Sequence, residues 1–286
     1  MKRRILTWSG GSIALALGVA FLIPSSRYSM LGYLRGESFD SGRPQSYWVN
    51  ALRDADPELR QEGATCLARM GPQAAEAIPA LVDLLKDERP EIRTKAAFAL
   101  FKIHVKASSA VPPLCDGLKD SSPGVRLYCS MCLAGMGQEA QTALPDLIEA
   151  VKDKGNGVHL FPSPINTRQL AVVALGHVGP CAREAVPFLL ELLADEDHVV
   201  REVAVRALGQ IRSPDSIPAL MLILQDEKHP LRLDAAAALG GIGSEAREAV
   251  PTLCQMMKHR SLFVRRAAET AVRQIDPSVE VGSRVK

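Results

Sequence analysis

One arginine recurs along this chain at a nearly constant spacing. It stands at Arg60, Arg93, Arg126, Arg168, Arg201, Arg232 and Arg265, with steps of 33, 33, 42, 33, 31 and 33 residues. Counting on from each arginine, offsets three and six are small: Gly63/Cys66, Ala96/Ala99, Cys129/Cys132, Ala171/Ala174, Ala204/Ala207, Ala235/Ala238 and Ala268/Ala271. Offsets seven and ten are large and apolar, as in Leu67/Met70, Leu100/Ile103, Leu175/Val178 and Leu208/Ile211. These offsets fall on one face of a 3.6-residue helix. A helix pattern repeated seven times buries its face only by stacking on its neighbours, so the chain is expected to be a solenoid.

Each copy carries a second helix upstream. The blocks "IPALVDLLKD", "VPPLCDGLKD", "LPDLIEAVKD", "VPFLLELLAD", "IPALMLILQD" and "VPTLCQMMKH" place Pro79, Pro112, Pro145, Pro187, Pro218 and Pro251 in a first turn. There the missing N–H costs nothing. Gly71, Gly137, Gly179 and Gly243 fall eleven residues after an arginine, where a left-handed C-cap is expected. Asp54, Asp87, Asp120, Asp195 and Asp226 lie six residues before one.

This Pro-helix, Asp-turn, Arg-helix unit resembles the HEAT repeat, in the short form also found in phycobilin lyases. The resemblance spans residues 45–275. It implies an all-α, right-handed α-solenoid of about seven helical hairpins, whose aspartates and arginines form a ladder between neighbouring repeats. Two copies depart from the ladder, because His259 replaces the aspartate in the last and an insertion displaces Asp153 in the fourth.

The segments outside the repeats are read separately. Lys2, Arg3 and Arg4 precede 22 uncharged residues with the apolar core Ile13–Ile23. Twenty-two helical residues rise about 33 Å, enough for a hydrocarbon core of about 30 Å. Residues 1–26 are therefore expected to be an anchor helix of a single-pass membrane protein, with a cytoplasmic N-terminus and the repeats on the other side. A cleaved secretory signal, with Gly18-Val19-Ala20 as its small-residue site, is the competing reading. Residues 27–44 lack either period and read as a flexible linker, and 276–286 as a frayed tail. The nine-residue insertion falls in Lys154–Ile165, where Val158, Leu160 and Phe161 are costly to leave in water. It either folds back over the repeats or reaches toward a ligand.

Charge and motif content exclude several functions. Residues 44–275 hold 26 Lys+Arg against 28 Asp+Glu, a balance of −2, without the excess a nucleic-acid-binding array shows. Cys129 and Cys132 form a CxxC, but no second ligand pair stands at zinc spacing. Both fill slots that other copies give to alanine, as does Cys66, and Cys115 and Cys254 fill apolar slots of the proline helix. Cys181 is the one thiol expected to be free. The six histidines are scattered, and none forms the His-Glu pair on which deoxyhypusine hydroxylase, an iron enzyme built on similar repeats, depends. No catalytic residue, metal site, cofactor or small-molecule substrate is expected.

What remains is a binding face. In HEAT arrays the second helices line the concave surface, which would bring offsets one, five and eight toward a partner. Phe98 and Phe101, Leu127 and Met131, and Val173 make an apolar run on that face, with Tyr128 and Leu170 beside it. Together with Leu160 and Phe161 of the insertion they are the candidate site for a protein or peptide partner. The alternative is that curvature buries them between helices. The sequence thus reads as a membrane-tethered HEAT-type scaffold, and the other readings are a phycobilin-lyase-like enzyme or a self-associating surface array.

Overall fold

The computed structural model describes residues 24–152, 157–158 and 165–279. They divide into two compact units, one ending at Val105 and one starting at Lys106.

In the first unit, α1 (Pro24–Arg35) leads to a hairpin of β1 (Phe39–Asp40) and β2 (Arg43–Pro44), then α2 (Gln45–Ala51), α3 (Pro57–Met70), α4 (Ile78–Leu84) and α5 (Pro90–Ile103). The stretch 27–44 is therefore not the linker its lack of periodicity suggests. Ser41 and Gly42 both take positive φ, 51° and 73°. This is the backbone of a two-residue hairpin turn, and it pairs Phe39 with Pro44. Strands of two residues are too short for an alternating pattern, so the turn alone carries the signal. The hairpin packs on α3, where Arg69 donates from Nε to Asp40 Oδ1 at 3.1 Å. The Trp48 indole, 1% exposed, donates to the Asp40 carbonyl at 3.1 Å. Tyr47 packs edge-on against Tyr28 and lies 4.2 Å beneath the Arg43 guanidinium.

In the second unit, proline helices α6 (Val111–Leu118), α8 (Leu144–Lys152), α10 (Val186–Glu191), α12 (Ile217–Gln225) and α14 (Val250–Met256) alternate with arginine helices. The latter are α7 (Pro123–Met136), α9 (Thr167–Val178), α11 (His198–Ile211), α13 (Arg232–Ile242) and α15 (Leu262–Ile275). Each arginine helix packs on its own proline helix and on the arginine helix of the next copy. The small and large offsets form the core. Ala171, Ala174, Leu175, Val178, Ala204 and Leu208 are fully enclosed. The insertion forms a short antiparallel pair, β3 (Gly157–Val158) with β4 (Ile165–Asn166), and β3 lies against α7. Leu160 and Phe161 lie outside the described residues.

The aspartate turn has a specific chemistry. The carboxylates of Asp54, Asp87, Asp120, Asp195 and Asp226 each accept from the backbone N–H two residues on, at 2.7–3.0 Å. His259 does the same with Nδ1 to the Ser261 N–H at 3.0 Å, so the substitution keeps the turn. Arginine Nη1 closes the loop from the other side: Arg60, Arg93, Arg126, Arg201 and Arg265 each donate to two carbonyls of their own turn. Rungs between copies form where the next aspartate is in reach. Arg60 meets Asp87 at 2.7 Å and Arg168 meets Asp195 at 2.6 Å. The second pair is over nine-tenths buried on both sides. Removing one partner from such a pair generally costs about 3–5 kcal/mol, because the other is left charged and unpaired.

Offset eleven ends each helix with positive φ in six copies. Gly71, Gly137, Gly179 and Gly243 hold φ of 60–85°, with ψ near −130° at Gly71 and Gly137, a region open only to glycine. His104 and Arg212 stand at the same offset in the ordinary left-handed region, with ψ of 55° and 33°. The glycine copies run into 3-10 turns of six or seven residues, whereas after His104 and Arg212 the 3-10 turn is only three residues long.

The expected single-pass membrane location is corrected. Among the described residues no helix is long and apolar enough to cross a membrane. The apolar stretch Ile13–Ile23 that carried that expectation lies outside the described residues, and α1 begins after it at Pro24.

Candidate partner-binding groove

A groove of about 780 Å³ crosses α7, α9, α11 and α13 in the second unit. Its residues come from offsets five to nine of successive arginine helices, from Asp234 at offset two of α13, and from the turns behind the helices. Arg206 and Ala237 supply offset five, Gly176 and Gly209 offset eight, and Gly135, His177, Gln210 and Gly241 offset nine. A second cavity of about 360 Å³ shares Ala237 and Gly241 and continues to Arg266, Thr270 and Gln274 on α15.

Small residues make the floor because the helices approach closely there. A Cβ on Gly209 would lie 2.6 Å from the Ala238 Cα, and one on Gly176 would lie 3.0 Å from the Ala207 Cα. Gly240 repeats the arrangement against Ala271. The rule is a glycine at offset eight against an alanine at offset six of the next copy. The amide of Gln210 then lies over Gly176, and that of Gln274 over Gly240. These residues were not singled out from the sequence, although glycine at offset eight in three successive copies was a readable signal.

The walls are polar. His177 Nδ1 is 2.7 Å from the Ala134 carbonyl, which can only accept, so neutral His177 carries its proton on Nδ1 and leaves Nε2 as an acceptor. Arg206 pairs with Glu202 one turn earlier on α11. Burial and the neighbouring Glu202 push the Asp234 carboxyl above its ordinary range, against the pull of Arg206. Arg212 projects from the left-handed C-cap of α11. Among the described residues no three His, Cys, Asp or Glu side chains come together to hold a metal ion.

The apolar run expected as the site divides. Leu127 is fully enclosed. Its helix α7 is covered by α6, α9 and β3, so Leu127 belongs to the core and is corrected out of the surface. Tyr128, Met131, Leu170 and Val173 are partly exposed. Met131 and Val173 hold offset five on α7 and α9, the offset at which Arg206 and Ala237 line the groove on α11 and α13. Phe98 and Phe101 are also half-buried, on α5 of the first unit, and line no part of this groove. Burial pushes the Tyr128 hydroxyl and the Cys129 and Cys132 thiols up, so the CxxC is core rather than a reactive pair.

Comparison with known proteins agrees with this architecture. The HEAT-repeats family model matches residues 46–121 and 162–240, and a PBS lyase HEAT-like repeat model matches 231–259. No curated protein matches the chain. An engineered protein of known structure is 23% identical, with 81% of this chain and 68% of that one covered and a TM-score of 0.58. A designed armadillo repeat protein in complex with the peptide (KR)4 is 19% identical, with 80% and 98% covered and a TM-score of 0.50. The complex of CpcE and CpcF of phycocyanin lyase from Nostoc sp. PCC7120 is 24% identical, with 83% and 98% covered and a TM-score of 0.49. At these identities the likeness is one of fold, and it assigns no chemistry. With its repeat geometry seen and more than half of its length matched, the chain is a member of the HEAT-repeat family.

Proposed function

We propose that this protein is a non-enzymatic scaffold that binds a protein or peptide segment on the arginine-helix face of residues 106–279. One observation carries the reading: a single groove runs over four successive arginine helices, and Met131 and Val173 continue its offset-five row as apolar side chains. Tyr128 and Leu170 flank that row and complete an apolar contact surface. Partly exposed apolar side chains grouped beside a groove favour association, since covering one anchor contributes about 1.5–3 kcal/mol. The designed armadillo protein with its (KR)4 peptide shows that stacked helical repeats can hold a peptide.

The test is a random 12-residue peptide display library panned on the full chain. Selected peptides should lose tenfold or more in affinity for Met131→Asp, and similarly for Val173→Asp, while helical signal and melting temperature stay near those of the parent. Glu202→Ala should matter less. Failure to recover any binder, or binders indifferent to both substitutions, would remove the site from this face. Should both variants unfold, the conservative Met131→Gln and Val173→Thr carry the same test.

A further inference from the structure

Three features of the groove bear on the chemistry of what it can hold. The first is a row of polar side chains at offset nine. His177, Gln210 and Gln274 hold that position on α9, α11 and α15, and α13 supplies Gly241 between them. Among the described residues, the amides of Gln210 and Gln274 make no side-chain hydrogen bond, although each is seated over a glycine of the neighbouring helix. An amide offers a donor and an acceptor together, and His177 adds an acceptor at Nε2. A peptide backbone presents the matching groups at every residue.

The second feature is the floor. Gly176, Gly209, Ala237, Ala238 and Gly241 leave little side chain to hold an incoming backbone away. Packed helices are about 8–10 Å apart, so the three steps from His177 to Gln274 span roughly 25–30 Å. An extended chain covers that with about eight or nine residues at about 3.3 Å each.

The third feature is charge. Arg212 and Arg266 line the two connected cavities, and neither has a carboxylate partner among the described residues. Arg206 is already engaged by Glu202. Among the described residues Asp234 is the one carboxylate that lines the groove, and it sits beside that pair.

Resting on the binding role proposed above, we infer that the occupant is an extended acidic peptide segment of about eight or nine residues. Gln210, Gln274 and His177 bind its main chain, and Arg212 and Arg266 bind its carboxylates. Main-chain recognition makes the site tolerant of side-chain identity, and the arginines select for charge.

The experiment uses the full chain and three fluorescein-labelled decapeptides at low ionic strength, read by anisotropy. They are (Ser-Glu)5, (Ser-Lys)5, and (Ser-Glu)5 N-methylated at alternate residues. The expected result is that (Ser-Glu)5 binds at least tenfold tighter than either of the others. The double variant Arg212→Ala/Arg266→Ala should abolish discrimination between glutamate and lysine. Gln210→Leu/Gln274→Leu should weaken (Ser-Glu)5 at least tenfold while some charge preference remains. The near-isosteric Gln210→Glu/Gln274→Glu should weaken it at least as much, which keeps the test alive if the leucine variant folds poorly. Equal or tighter binding of (Ser-Lys)5, indifference to N-methylation, or no binding of (Ser-Glu)5 at millimolar concentration would overturn the inference. If display-selected peptides still depend on Met131 in that event, the groove reading stands and only its acidic, main-chain specificity falls.

Discussion

Gly209 and Gly135 are both glycines of arginine helices that line the groove, and their surroundings set opposite expectations. A Cβ at Gly209 would meet the Ala238 Cα at 2.6 Å, its Cβ at 2.9 Å and its carbonyl oxygen at 3.1 Å. Backbone atoms cannot swing aside as a side-chain end can, so α11 and α13 would have to separate. Gly209→Ala should therefore lose about 1–2 kcal/mol, with overpacking exceeding the gain in helix propensity. At Gly135 a Cβ meets nothing within 4 Å. Gly135→Ala should gain up to about 1 kcal/mol from propensity alone. Denaturant midpoints of the two variants, measured on the full chain, should move in opposite directions; movement in the same direction would contradict the close helix approach.

Among the elements, the N-terminal hairpin offers a pH-dependent test. The Arg69 guanidinium beside Asp40 holds its carboxyl down to about 2, with smaller help from Cys66 and Ser41 and against burial. The ordinary value is 3.8, so the carboxylate is favoured by folding. Its contribution is fully present above the unfolded value and is lost as pH falls from about 4 through about 2. The stability difference between the parent and Asp40→Asn should thus stay constant from pH 7 to about 5 and shrink below about 4. A difference that persists unchanged at pH 2 would mean that Asp40 acts through packing rather than charge. The same hairpin explains why residues 27–44 escaped the sequence reading: its stability comes from Arg69, Trp48 and α3, all distant in sequence or outside any local period.

On the scale of the whole molecule, the six cysteines report which parts open. Cys66, Cys115, Cys129 and Cys132 are buried, Cys254 is partly covered and Cys181 is exposed in the turn between α9 and α10. Burial pushes the Cys66 and Cys115 thiols up to about 12, so within the native fold they stay protonated and unreactive. Alkylation of native protein should modify Cys181 first and Cys254 next, with the other four reacting only in denaturant. Peptide mapping of a time course checks the order, and early modification of Cys129 or Cys132 would contradict the core packing of α7. Cys66, Cys129 and Cys132 were legible in advance because a cysteine in an alanine slot of a strict repeat inherits the burial of that slot, whereas Cys254, expected to be buried in its proline-helix slot, is only partly covered.

The arginine period, the small and large offsets and the turn aspartates were enough to establish the family, the helix pairs and the core, because each copy repeats the same local constraints. The proposed binding face was legible only as a set of offsets. Leu127 shares offset one with Glu202, yet the first is fully enclosed while the second stays partly open. Which offset-five side chains remain open, and that Gln210 lies over Gly176, depend on how closely neighbouring copies approach. That distance is set by pairs such as Gly209 and Ala238, 29 residues apart in the chain. Periodicity places a residue on a face of its own helix; only packing between copies decides what covers that face.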